Sequence, residues 1–202
     1  MVRSPLTNVV ADIVDDRLRA HGFTRDGKSW YVTNELGDYA IVQLSRMPRL
    51  PGMERFHVET GVVPAPWRSW MRAFGPLRRR AGPPEIGHAL LQYRVDAPDG
   101  GPVGLGWTVS SPAEATRTGK LVADLLTAGP IDKLRALLDR AQLHARLSED
   151  NRDTPAIRAA FVAESGPSTE LNELLAEFVD WQPDNSEFVV WAKAYAAEQR
   201  RI

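Results

Sequence analysis

Two stretches decide the fold: Tyr39-Ala40-Ile41-Val42-Gln43-Leu44-Ser45, and Phe56-His57-Val58-Glu59-Thr60-Gly61-Val62-Val63. Successive side chains of a strand point to opposite faces, so their period of two reads as neighbouring strands of a sheet buried on one side. One face collects Ala40, Val42, Leu44, Phe56, Val58 and Val62, and the other collects Tyr39, Ile41, Gln43, Ser45, His57 and Glu59.

Outward from this pair the pattern continues. Trp30-Tyr31-Val32 precedes the turn-like Asn34 to Gly37 and predicts a hairpin with the strand from Tyr39. Leu90 to Val95 and Val103 to Val109 flank Pro98-Asp99-Gly100-Gly101 and read as a second hairpin. Alternation adds Leu91, Tyr93, Val95, Val103, Leu105, Trp107 and Val109 to the buried face, and Gln92, Arg94 and Thr108 to the polar one. Gly104 and Gly106 point to the polar face and are expected to leave room there.

Elsewhere the period is helical. Leu6, Val9, Val10, Ile13, Val14 and Leu18 share one helix face, with Ser4 as the cap, Pro5 at the first helical position and Gly22 at the stop. Between the hairpins, Trp67, Trp70, Met71 and Phe74 oppose Arg68 and Arg72, which predicts a short amphipathic helix ended by Gly75-Pro76. Ala115 to Leu147 reads as two helices broken at Gly129-Pro130. Thr154-Pro155, Ser168 and Asp184 mark the starts of three more.

These elements predict an α+β protein: a mostly antiparallel sheet of about five strands with helices packed on one face, plus a C-terminal helical extension. The boundary is expected between an α+β domain, 1–147, and an acidic helical extension, 148–202.

A chain of 202 residues, 43% hydrophobic and 25% charged, can bury a substantial core unaided. With no cysteine, disulfides, thiolate metal sites and cysteine nucleophiles are excluded. The net charge of −1 argues against a dedicated nucleic-acid binder. It is an average of opposed regions: 64–84 carries five arginines (Arg68, Arg72, Arg78, Arg79, Arg80) and no acid, whereas 148–190 carries ten acids against Arg152 and Arg158. The acids near the N-terminus interrupt any secretory signal, and no window is apolar enough to span a membrane, so a cytoplasmic protein is expected. Only Lys28, Lys120, Lys133 and Lys193 among 25 basic residues are lysines, which fits a GC-rich bacterial source.

The run Gly22-Phe23, Lys28-Ser29-Trp30-Tyr31, Tyr39 to Ser45 and Phe56 to Val62 resembles an uncharacterised bacterial family, domain of unknown function 4304. The resemblance covers roughly the first half of the chain and implies an N-terminal helix ending in Gly-Phe, an aromatic strand, a strand ending in Gln-x-Ser and a strand ending in Gly. It implies no activity, cofactor or partner.

The candidate ligand-binding residues are the polar-face set Gln43, Ser45, His57, Glu59 and Arg94. His57 and Glu59, two apart, could act as a base and its orienter or as two metal ligands, but His21, His88 and His144 lack the spacing to supply a third. A cross-strand Glu59–Arg94 ion pair is the structural alternative. Trp67, Arg68, Trp70, Arg72 and Phe74 form a candidate interaction surface, since aromatics among arginines can hold phosphate and stack bases, with burial of the aromatics in a core as the competing reading. No phosphate loop, dinucleotide fingerprint, Gly-x-Ser-x-Gly elbow or His-Glu-x-x-His helix occurs. The expectation is a non-enzymatic interaction module, immunity-like or regulatory, with no cofactor, metal, nucleic acid or membrane and with an unknown protein as partner. The alternative is a small-molecule binder or enzyme with a cleft between the polar sheet face and the Trp67–Phe74 helix.

Overall fold

The computed structural model describes residues 5–48, 50–74, 78, 82–98, 106–182 and 184–200. Ser4, Gly75-Pro76, Arg79, Arg80, Asp99 to Gly101 and Val103 to Leu105 lie outside the described residues. The fold is α+β, with six strands in one antiparallel sheet among the described residues.

Two compact units make up the chain: Met1–Val63 with Glu85–Asp139, and Pro64–Pro84 with Arg140–Ile202. This division departs from the boundary expected at 147/148. The amphipathic helix between the strands belongs with the terminal helices, because its aromatic side is buried among them.

In the first unit, α1 (Leu6–Ala20) is followed by β1 (Thr24–Asp26), β2 (Ser29–Thr33), β3 (Tyr39–Arg46), β4 (Glu54–Val63), β5 (Leu91–Val95), β6 (Trp107–Val109), α3 (Pro112–Thr127) and α4 (Pro130–Ala136). α1 starts one residue later than expected, with Pro5 at its cap position, and ends where Gly22 takes a φ of +79° and Phe23 N–H donates to Leu18 O at 3.1 Å. Its buried stripe is Thr7, Val10, Ala11, Val14, Asp15 and Leu18, so Leu6, Val9 and Ile13 lie on the flank. Gly119 brings α3 against that flank, since a β-carbon there would sit 3.0 Å from Ile13 Cδ1.

The strand order is β1-β2-β3-β4-β5, with Ala40 opposite Val62, Val42 opposite Thr60 and Leu44 opposite Val58. The predicted buried face is therefore in register: Trp30, Ala40, Val42, Phe56, Val58, Val62, Leu91 and Val109 are all fully buried. α1, α3 and α4 cover it.

Three differences from expectation shape this sheet. β1 is an added edge strand, paired to β2 around a turn at Gly27, where φ is +61°. The second hairpin does not form among the described residues. β5 pairs with Val58–Val62 of β4 and β6 with Glu54–Phe56, so the two follow one another along the same edge of β4 instead of pairing together. The gap is clamped by the Trp107 indole, whose Nε1 donates to Val95 O at 2.8 Å while its ring stacks on Phe56. Third, the helical run after Ala115 breaks again between Ala136 and Arg140, which places the next helix in the second unit.

One buried charge ties α1 to the sheet. Asp15 accepts from Trp30 Nε1 at 2.9 Å and from Arg19 at 2.9 Å. Burial alone raises the pKa of its carboxyl, but these donors and the positive charges of Arg19 and Arg25 outweigh that and hold it below the ordinary value.

The second unit contains α2 (Ala65–Ala73), α5 (Arg140–Glu149), α6 (Pro155–Val162), α7 (Thr169–Trp181) and α8 (Ser186–Gln199). Thr154 and Ser168 cap α6 and α7 as predicted, accepting from Ile157 N and Leu171 N, whereas Asn185, and not Asp184, occupies the cap position of α8. The core is Ala159, Ala160, Leu171, Leu174, Leu175, Phe178, Phe188, Trp191, Ala192 and Ala196 with their neighbours. Alanines at Ala159, Ala160 and Ala163 let helices approach closely while the aromatics fill the remaining volume.

Candidate functional site

Strand register places Ser29, Gln43, Glu59 and Arg94 in one row across the polar face of the sheet, and Ser45 opposite His57 in the next. The five candidate ligand-binding residues do share a face. They do not all converge on open space.

Gln43 is occupied within the fold. Its Oε1 accepts from Ser29 Oγ at 3.1 Å and from the backbone N–H of Ile86 at 3.1 Å, and its Nε2 donates to Ser45 Oγ at 3.1 Å. Both carbonyl lone pairs and one amide proton are used, which makes Gln43 a bracket for the short 3-10 turn Ile86–His88. That turn covers part of the face expected to be polar. Ile86 packs with Ile41 and Val63, flanked by Tyr31, Tyr39 and Ala89. Gly61 makes the contact possible: a β-carbon there would lie 2.7 Å from Ala89 Cβ, 2.7 Å from Leu91 O and 2.8 Å from Ile86 Cδ1. The room expected at Gly106 is absent as well, because its φ is +69° and its backbone rests against Phe56 O, His57 Nδ1 and Met47 Sδ.

The remaining polar residues form a small charged cluster. Glu59, 7% exposed, accepts from Gln92 Nε2 at 2.9 Å and lies 3.8 Å from Arg94 Nη2. The cross-strand pair is thus present but loose, and Arg94 remains exposed to water, which limits its contribution to stability. His57 is half-buried, and its Nδ1 is enclosed without a hydrogen-bond partner. Burial lowers the imidazole pKa, and the nearby positive charges of Arg94 and Arg55 lower it further, while Glu59 and Asp96 pull it back up. A neutral imidazole is what this environment favours at neutral pH. No hydrogen bond joins His57 to Glu59 or Ser45 among the described residues, so the ring lacks the orienting partner a catalytic base requires. No group of three metal-capable side chains occurs among the described residues.

The aromatic-basic set sits in the helical unit. Trp70 packs edge-on against Phe188 with centroids 5.2 Å apart, and lies 5.7 Å from Trp191 and 5.2 Å from Phe74. The Trp191 indole donates to Ser69 Oγ at 3.3 Å. Trp67 joins the same core and Met71 is buried. The aromatics of α2 are therefore packing groups. Phe74, Arg72 and Arg78 are exposed and Arg68 is half-buried, with Arg72 donating to Gly82 O at 3.0 Å.

Alternation and charge counting missed a second feature of this unit. α7 and α8 meet beside their connecting turn, where Phe178 and Phe188 are 4.8 Å apart, and make few close backbone approaches beyond it. Between them lies an open groove of about 340 Å³ lined by Asn172, Leu175, Ala176, Val179 and Asp180 of α7 and Val189 and Lys193 of α8. Val179 is 40% exposed, and Val190 of α8 is 62% exposed. The signal was present in the sequence, since the apolar residues of α7 run past the width of one core stripe: Leu171, Leu174, Leu175 and Phe178 face inward, and Val179 is one too many.

No family model matches this chain, and neither a curated protein nor a solved structure matches it. No helix among the described residues is long and apolar enough to cross a membrane.

Proposed function

We propose that this chain is a non-enzymatic binding module that recognises another protein and works in a bacterial cytoplasm in an immunity-like or regulatory role. The observation that carries this reading is where unsatisfied surface remains. Gln43, Ser45 and Glu59 are engaged by neighbours in their own sheet, while the helical unit leaves apolar side chains exposed along an open groove. The arginine-dominated basic residues support the bacterial source, and the likeness to family 4304 belongs to this proposal without adding an activity.

The alternative of a cleft built on the Trp67–Phe74 helix is not favoured. Its apolar wall would be the aromatic side of α2, and that side is taken up by Phe188 and Trp191.

Affinity capture of the full chain from a native bacterial lysate tests the proposal. A reproducible, stoichiometric protein partner is expected, and replicate captures that return none overturn it.

A further inference from the structure

We propose that the groove between α7 and α8 receives one amphipathic helix of a partner protein, its apolar face in the groove and its basic side chains against α7. This rests on the reading of the chain as an interaction module and names the chemistry of the partner.

The shape argues for a helix. Asn172, Leu175, Ala176 and Val179 recur at i, i+3, i+4 and i+7 along one wall, and Val189 and Lys193 at i and i+4 along the other. The seven-residue span of the α7 wall is about 10 Å at 1.5 Å per residue, which matches two turns of an incoming helix presenting apolar anchors at the same spacing. The groove is open to solvent along its length, so a small molecule would be only partly enclosed, whereas a helix would cover Val179 and Val189 together.

The charge selects the sign of the partner. Residues 168–190 carry six acids (Glu170, Glu173, Glu177, Asp180, Asp184, Glu187) and no base, and all six are exposed. Glu177 is held by Arg158 at 3.1 Å, but Asp180 lines the groove, and Glu173 stands two turns earlier on the same side of α7. Arginines or lysines two turns apart on the partner would meet both. Lys193 on the opposite wall would take an acid, which fixes the direction in which the helix lies. A second copy docked face to face would set these acidic segments against each other, and nucleic acid would be repelled.

The test uses a labelled synthetic helix of about 18 residues, leucines at the anchor positions and arginines on one flank, and a counterpart with glutamates in place of the arginines. Both are titrated against the full chain by fluorescence anisotropy. Micromolar binding of the arginine helix is expected, with the glutamate helix weaker by about tenfold or more. Val179→Asp should weaken binding by about tenfold or more, as loss of an exposed apolar anchor to a buried charge does, and E173K with D180K should reverse the preference between the two helices. Val179 and both acids are exposed, so circular dichroism should show these variants folded. Leu36→Asp, an exposed change on the β2–β3 turn, should bind like the parent chain.

Absence of binding by the arginine helix, equal binding of the two helices, or binding that survives Val179→Asp overturns the proposal. The two readings fail separately. A lysate partner that Val179→Asp still captures would leave the interaction module standing and remove the groove, whereas no partner for the parent chain would remove the module itself.

Discussion

Replacing Gly61 by alanine should distort the turn that covers part of the sheet. The added methyl would lie 2.7 Å from Ala89 Cβ, 2.8 Å from Ile86 Cδ1 and 2.7 Å from Leu91 O. Favourable carbon contacts fall at about 3.5–4.0 Å, so each must open by close to 1 Å. Leu91 O is backbone in a strand paired to β4 and yields least, so the strain falls on the turn. Losing the turn altogether would forfeit burial of Ile86, about 1.5–3 kcal/mol, and its backbone hydrogen bond to Gln43, about 0.5–1.5 kcal/mol. Distorting it in place is an overpacking cost of about 1–3 kcal/mol. The chain takes the cheaper course, distortion in place, which predicts a loss of about 1–3 kcal/mol for this unit. Native-state hydrogen exchange of the β4 amides reads that loss without requiring both units to unfold together. Gly87 is the control: it belongs to the same turn, and a methyl there meets nothing within 4 Å. Gly87→Ala should stay within about 0.5 kcal/mol of the parent or stabilise slightly. Gly61→Ala matching Gly87→Ala, with the Gln43 side-chain amide resonance unmoved, would refute the reasoning.

Two further outcomes concern ionisation. Because the folded carboxyl of Asp15 titrates below its ordinary value, its contribution to stability is complete above the unfolded value of about 3.9 and is lost as pH falls through the folded one. Asp15→Asn should therefore flatten the acid limb of a stability-against-pH curve, and an unchanged limb would sink the assignment. The His57 imidazole should titrate by NMR below its ordinary value of about 6.5, and Arg94→Gln should move its midpoint upward by removing a positive neighbour. A midpoint that falls or stays put in that variant would show that Arg94 does not act on the ring.

What the sequence made legible was what a local period encodes. Alternation in Tyr39 to Ser45 and Phe56 to Val62 assigned the faces of the central strands, since a slip of one residue would have turned Val42 and Val58 to water. Partner choice is not a local property. Leu91–Val95 and Trp107–Val109 look like a hairpin because a turn signal lies between them, yet both reach back to β4. The three residues of β1 carry no apolar pattern, so they were invisible to a period test. Likewise the amphipathicity of α2 showed that Trp70 needed an apolar partner without naming Phe188 and Trp191, more than a hundred positions away.

Part of the candidate polar face is covered by a neighbouring segment for a related reason. A polar side chain facing away from a core has two uses, to meet a ligand or to hold a neighbouring segment, and its residue type does not separate them. Gln43 holds the turn at Ile86, 43 positions distant, and Gly61 opposite Ile41 is what lets the turn come down. Charge was read with the right sign but assigned to the wrong division of the chain. The basic segment 64–84 belongs to the same compact unit as the acidic helices, and its five arginines offset much of their charge without placing one base among residues 168–190. The acids beside the α7–α8 groove are therefore balanced over the unit as a whole but not locally. Any complex formed there should then lose affinity as added salt shortens the reach of those charges, while the apolar contacts to Val179 and Val189 persist.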